Sequence, residues 1–214
     1  MRSTACSRGC VRVAAALVLS ATLATPSAAQ PPDVAINEVV ETDAAHLGTT
    51  TRVALEVKLD PGYHVNSNTP LDDLLIPTVL TLEPPDGISL AGVAFPVAVL
   101  LEQVGVEDPL AVFEEEFLIG AALSVDTSLA PGSYAVPGTL RYQACNDRMC
   151  FAPKNAPIQF DLTLAPDTQA LNTVHPDLFA GLTLADAAAA DPTPAPVVRA
   201  PILDDLSVVA TLDE

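Results

Sequence analysis

The chain has 214 residues, with 27 acidic against nine basic side chains, three histidines, four cysteines, no tryptophan and a formal net charge of −18. Such an excess of negative charge repels nucleic acid and anionic lipid and so excludes binding through a phosphate backbone. It leaves a solvated acidic surface as the expected state, one compatible with a basic partner.

Residues 1–29 read as an export signal. Arg2, Arg8 and Arg12 precede the apolar run VAAALVLSATLA, and Ser27, Ala28 and Ala29 supply the small residues of a cleavage site. Cys6 and Cys10 lie ahead of the apolar run and are expected to leave with it, so that Cys145 and Cys150 are the cysteines of the mature chain. Cleavage also removes three basic residues, leaving six against 27 acidic ones, a net −21 with histidine neutral. No later stretch approaches the roughly 18 apolar residues of a membrane helix, so no membrane insertion is expected after cleavage. The expected compartment is periplasmic or extracellular, where oxidising surroundings let a disulfide persist.

Residues 30–165 carry the folded domain. From Asp33 onward, short apolar or alternating runs are broken by Pro, Gly, Asn and Asp, the pattern of strands and turns. The predicted strands, in order, are VAINEVVE, TRVALEVKL, YHVNS, TVLTLE, ISLAGVAF, AVFEEEFLIGAALSV, SYAVPGTLRYQAC and APIQFDLTL. In the second of these, Val53, Leu55, Val57 and Leu59 share one face, with Arg52, Ala54, Glu56 and Lys58 on the other, as in a half-buried strand. The turns DPG at 60–62, PPDG at 84–87 and APG at 130–132 supply the reversals. About eight strands over this length predict an all-β protein built as one antiparallel sandwich.

Two motifs within it hold titratable groups of interest. His64, in GYHVNSNTP, has the chemistry of a general base near a thiol, although a histidine beside a turn more commonly satisfies a local hydrogen bond. Asn66, Ser67 and Asn68 read as turn residues before Pro70. In FEEEF, strand alternation predicts Glu114 and Glu116 on one face and Glu115 on the other; a solvated face is the default, and a carboxylate turned toward the thiols would accept a proton.

Cys145 and Cys150 are separated by four residues, and their flanks are strand-like, so the pair is expected to face itself across a tight hairpin. Opposed positions there bring Cα atoms to roughly 4.5–5.5 Å, which a disulfide accepts. Three uses remain open at this point. A structural staple over so short a loop contributes only about 2 kcal/mol. A closed zinc site needs four ligands, and His46, His64 and His175 are scattered along the chain, so no metal and no cofactor is expected. The third use is a dithiol that exchanges electrons, and here the spacing and β context set it apart from a helix-borne C-x-x-C motif.

Residues 166–214 change to an Ala-, Pro- and Asp-rich text with almost no aromatics and are expected to form a mostly disordered acidic tail. Within it, HPDLFAGLTLADAAAA has the makings of a short helix.

Taken together, YQACNDRMCFAP, PGYHVNSNTP and IPTVLTLEPPDG resemble the N-terminal periplasmic domain of the thiol:disulfide interchange protein DsbD, over roughly Val34 to Leu164. The resemblance implies an immunoglobulin-like sandwich whose strand-borne pair, Cys145 and Cys150, shuttles a dithiol between thioredoxin-like periplasmic proteins or domains. It implies a disulfide reductase component that turns over only through its partners. Tyr142 and Gln143 would shape the site from the incoming strand. Within the loop, Arg148 would favour a thiolate and Asp147 oppose it. Complete family members add a membrane core and a thioredoxin domain, so a separate membrane electron transporter is expected as donor here. Relatives also cap the disulfide with an aromatic loop. The corresponding stretch, Leu100 to Phe113, has no aromatic before Phe113, so either Phe95, Phe113 or Phe151 covers the pair or the pair is more exposed. The rival reading is a secreted binding module in which the hairpin disulfide only holds shape.

Overall fold

Where alternation is cleanest in the sequence, the backbone obeys it. The computed structural model describes residues 32, 34–103 and 107–182. In chain order its strands are β1 (Ala35–Val40), β2 (Ala45–His46), β3 (Thr50–Lys58), β4 (His64–Asn66), β5 (Val79–Leu82), β6 (Ile88–Ala94), β7 (Val99–Leu101), β8 (Leu110–Glu114), β9 (Glu116–Val125), β10 (Gly132–Tyr142), β11 (Ala144–Cys145) and β12 (Lys154–Ala165). One short helix, α1 (Pro176–Ala180), follows. All eight predicted strands are found; the short β2 and β7 were not expected, and two predicted runs are each divided in two.

The strands form an immunoglobulin-like antiparallel sandwich. One sheet has the order β1-β3-β9-β6 and the other β2-β12-β10-β5, in which only the β2–β12 pairing is parallel among the described residues. Val53, Leu55, Val57, Ile119 and Leu123 from the first meet Val136, Leu140, Phe160 and Leu162 from the second in a single buried cluster. Gly62 (φ 82°) and Gly87 (φ 85°) occupy the left-handed region that closes the DPG and PPDG turns, where a side chain would be strained. Tyr134 donates its hydroxyl to the Ala130 carbonyl at 2.9 Å, a tie of the tyrosine-corner kind.

The divided strands contribute β8 and β11 to a third sheet, β11-β4-β8-β7. AVFEEEFLIGAALSV breaks at Glu115, whose φ of 55° turns the chain out of the β4/β7 pairing and into the β3/β6 pairing. Leu59 N donates to the Glu115 carbonyl at 2.7 Å and ties down that turn. SYAVPGTLRYQAC breaks at Gln143, leaving β10 in the second sheet and β11 in the third.

Residues 166–182, expected to belong to a disordered tail, instead pack on the first sheet. Phe179 of α1 is 1% exposed and sits against Val39 and Ala54, the latter on the face of β3 expected to meet solvent. The Arg52 guanidinium lies 5.4 Å from the Phe179 ring centroid, is ion-paired with Glu41 and donates to the Phe179 carbonyl at 3.3 Å. Gly120 lacks the Cβ that would collide with Leu182. Asn172 adds hydrogen bonds to the Asp43 carboxylate at 2.6 and 2.9 Å. One apolar segment thus finds enough partners to offset its ordering entropy. The expected helix is confined to five residues, with Pro176 at its first turn. The remainder of the tail and the export signal lie outside the described residues. No helix among the described residues is long and apolar enough to cross a membrane.

If α1 is anchored this way, Phe179→Ala removes a buried ring and should cost about 3 kcal/mol. The measurement is urea unfolding: the midpoint should fall with little change in slope, whereas an unchanged midpoint would show that residues 166–182 add nothing to the fold.

Candidate functional site

The site begins with a hairpin. Cys145 and Cys150 face one another as an antiparallel bridge, with Cα atoms 4.0 Å apart, and are joined by a disulfide. Phe151 N donates to the Ala144 carbonyl at 2.9 Å on one side of the pair, and Asn146 N to the Met149 carbonyl at 3.0 Å on the other. The cysteines therefore occupy a non-hydrogen-bonded position, where opposed side chains approach most closely. Asn146 also sets the turn: its Oδ1 accepts from Arg148 N at 2.9 Å and Met149 N at 3.0 Å, an Asx turn that the sequence CNDRMC offered and that was not read from it.

The two sulfur-bearing residues are unequal. Cys145 lies in β11 and is 1% exposed, whereas Cys150 is exposed. Gln143 straps the hairpin by donating Nε2 to the Phe151 carbonyl at 2.9 Å. Tyr142 is buried in the main cluster, so of the predicted shaping residues it anchors the incoming strand from the core. Arg148 is fully at the tip, 3.8 Å from Asp147, with both side chains more than four-fifths exposed. At that exposure the pair contributes little, and each charge offsets the other near the loop.

The covering question resolves by alternation along β8. Phe113 is opposite Val65, which is opposite Ala144, so it lies across the sheet from the Cys145 position. It stacks with Phe95 at 6.3 Å and meets Phe117 at 5.1 Å in the core. Phe151 is buried and turns toward Tyr63, 6.1 Å away. None of the three shields Cys150, which stays exposed.

In the adjoining row, Cys145 is opposite His64 and His64 is opposite Glu114, so three strands bring these residues side by side on one face. His64 is buried, and its Nε2 has no hydrogen-bond partner among the described residues, contrary to the expectation of a satisfied local bond. Burial holds its imidazole below the usual histidine range. Asn66, expected in a turn, is a buried strand residue: its side chain donates to the Ile76 carbonyl at 3.0 Å, and its carbonyl accepts from Thr78 at 2.6 Å. Beside this row opens a cleft of about 750 Å³, whose lining includes His64, Gln103, Asp147 and all of Glu114, Glu115 and Glu116. The alternation expected of FEEEF fails because the left-handed turn at Glu115 rotates the chain there. Gln103 joins the cleft wall to the hairpin by donating to the Asn146 carbonyl at 3.3 Å. Among the described residues no three His, Cys, Asp or Glu side chains are grouped to hold a metal ion.

The described domain is thus an immunoglobulin-like sandwich bearing a hairpin disulfide with one buried and one exposed cysteine. Residues 34–162 match the family described as thiol:disulfide interchange protein DsbD, N-terminal, and the chain belongs to that family. Among solved structures it is similar to the N-terminal periplasmic domain of ScsB from Proteus mirabilis (13% identity, TM-score 0.40, 66% of this chain and 49% of that one). It thus spans about half the length of that domain. It is also similar to the DsbD N-terminal domain–PilB N-terminal domain complex from Neisseria meningitidis (16% identity, TM-score 0.33, 61% and 89%). A type I cohesin from Pseudobacteroides cellulosolvens is a further likeness (14%, TM-score 0.37, 63% and 94%). Comparison with curated proteins finds no match.

His64 generates a pH prediction. The folded chain keeps the imidazole neutral while the unfolded chain takes up a proton, so stability should fall as pH drops below about 6.5, until His64 titrates within the fold. Urea midpoints for the wild type and His64→Gln, compared between pH 7.5 and 5.5, should show the gap between them change with pH, the wild type losing more on acidification. A constant gap would mean that His64 takes up its proton equally in the folded and unfolded chain.

Proposed function

We propose that the chain is a periplasmic thiol–disulfide exchange protein that passes reducing equivalents between thioredoxin-like partners through Cys145 and Cys150. The observation that carries this is the asymmetry of the disulfide: one half is buried at 1% exposure and the other is exposed at the end of a hairpin, in a member of the DsbD N-terminal family. The sequence features of an export signal support the compartment.

In the exchange, a partner thiolate attacks Sγ of Cys150. The new intermolecular bond forms as the Cys145–Cys150 bond breaks, and the electron pair leaves on Cys145 Sγ, which takes a proton. The partner's second thiolate then attacks its own sulfur in the mixed disulfide and releases Cys150. Two electrons and two protons have moved, the partner is oxidised and this chain is reduced. The reverse sequence delivers the same pair to an oxidised partner. Gln143 and Asn146 hold the hairpin through these steps, Phe151 and Tyr142 anchor its two arms, and Arg148 lies at the face a partner would meet.

The test is trapping with a thioredoxin that lacks its resolving cysteine and whose remaining thiol is activated as its thionitrobenzoate disulfide, so that attack by a thiolate of this chain forms the mixed disulfide and releases thionitrobenzoate. Cys145→Ser, which keeps the exposed thiol, should accumulate a mixed disulfide roughly tenfold faster than Cys150→Ser, which keeps the buried one. Capture by neither variant would overturn the exchange reading and leave a structural staple; equal capture would show that burial does not select the attacking sulfur.

A further inference from the structure

The cleft beside the hairpin has a chemistry that the exchange reaction does not use. Six carboxylates line it: Asp60, Glu102, Glu114, Glu115, Glu116 and Asp147. Against them stands Lys58, 3.8 Å from Glu116, with both side chains more than half exposed. Such a pair is weak, so the cleft keeps most of its negative charge. Its edge is the cysteine loop itself, since Asp147 lies between the two cysteines and the His64 row runs directly to Cys145.

A second observation points to a ligand. His64 lines the cleft at 4% exposure, and its Nε2 has no hydrogen-bond partner among the described residues. A buried polar nitrogen left this way carries a desolvation cost, which a group entering the cleft would remove. Because burial keeps the ring neutral, Nε2 in the appropriate tautomer offers a lone pair and accepts from a cation's N–H. The left-handed Glu115 adds to the pattern, since it turns three consecutive glutamates toward one space at a conformational cost.

Resting on the exchange reading, we infer that this cleft receives a lysine or arginine side chain that the thioredoxin-like partner presents beside its reactive cysteine. An extended side chain suits the site better than a metal ion. The space of about 750 Å³ is far larger than an ion needs, and no ligand cluster is present among the described residues. Pro61, Tyr63 and Leu101 give the aliphatic stem apolar walls, while the carboxylates and His64 take the N–H donors. Seating the cation there fixes the partner's sulfur next to Cys150 and selects partners with basic surroundings over those without.

The probe is a pair of cysteine peptides, identical except for arginine or norleucine two residues from the cysteine, each activated as its thionitrobenzoate disulfide. They are mixed with the full chain carrying Cys145→Ser. Cys150 thiolate attacks the peptide sulfur, a Cys150–peptide disulfide forms, and thionitrobenzoate leaves and is followed by absorbance. The arginine peptide should react about tenfold faster at low salt, with the advantage lost at high salt. Adding Glu114→Gln and Glu115→Gln should bring the two peptides to within about twofold of each other. Titrating wild-type chain with N-acetylarginine amide should move the His64 imidazole resonances, and the norleucine amide should not, which keeps the test independent of how the variants fold. If both peptides react equally and His64 does not respond, the cleft proposal falls while exchange stands. If neither peptide reacts, the exchange reading itself falls.

Discussion

Two backbone hydrogen bonds, Phe151 N to Ala144 O and Asn146 N to Met149 O, hold Cys145 and Cys150 opposite each other, and the site's chemistry follows from that clamp. Because they flank the pair, the side chains between them are at the closest approach an antiparallel ladder permits. Because the inner arm continues into β11 and the outer arm leaves the sheet, one cysteine is enclosed and the other faces solvent. A symmetrical clamp would give two equivalent sulfurs. This one leaves one cysteine enclosed and the other exposed.

The clamp sits where it does because two long strands change sheets. At Glu115 the chain passes from the small third sheet into the first, and at Gln143 from the second sheet into the third, so the cysteine hairpin begins in the third sheet and is anchored to the core cluster through Tyr142 and Phe113. The conformation at Glu115 costs on the order of 1 kcal/mol for a non-glycine residue. The surrounding strands over-determine it: β8 is held by β4 and β7, β9 by β3 and β6, and the Glu115 carbonyl by Leu59 N. The same turn that links the sheets also concentrates carboxylates in the cleft beside the cysteine loop.

Much of this was legible in the sequence. Period-two alternation in TRVALEVKL gave the correct inward face because one side of that strand packs on the core, and the Gly-containing turns carried the φ values they promise. The close cysteines in a strand context gave the hairpin. What stayed hidden depended on tertiary register. Nothing in FEEEF marks a break, since neither Gly nor Pro stands there, and only the competing demands of two sheets bend it. His64, Cys145 and Glu114 are distant in sequence and meet only through two strand pairings. Composition masked Phe179, one buried ring in a text otherwise too polar and too rich in Ala and Pro to signal packing.

The most direct measurement is the reduction potential of the Cys145–Cys150 disulfide, obtained by equilibrating the full chain against thioredoxin and against glutathione and counting free thiols. A carrier should reach equilibrium with both and give a midpoint within the range of exchange proteins, roughly −120 to −270 mV. A midpoint below about −300 mV, or a bond that no physiological dithiol opens, would contradict the exchange function and return the hairpin to a purely structural role.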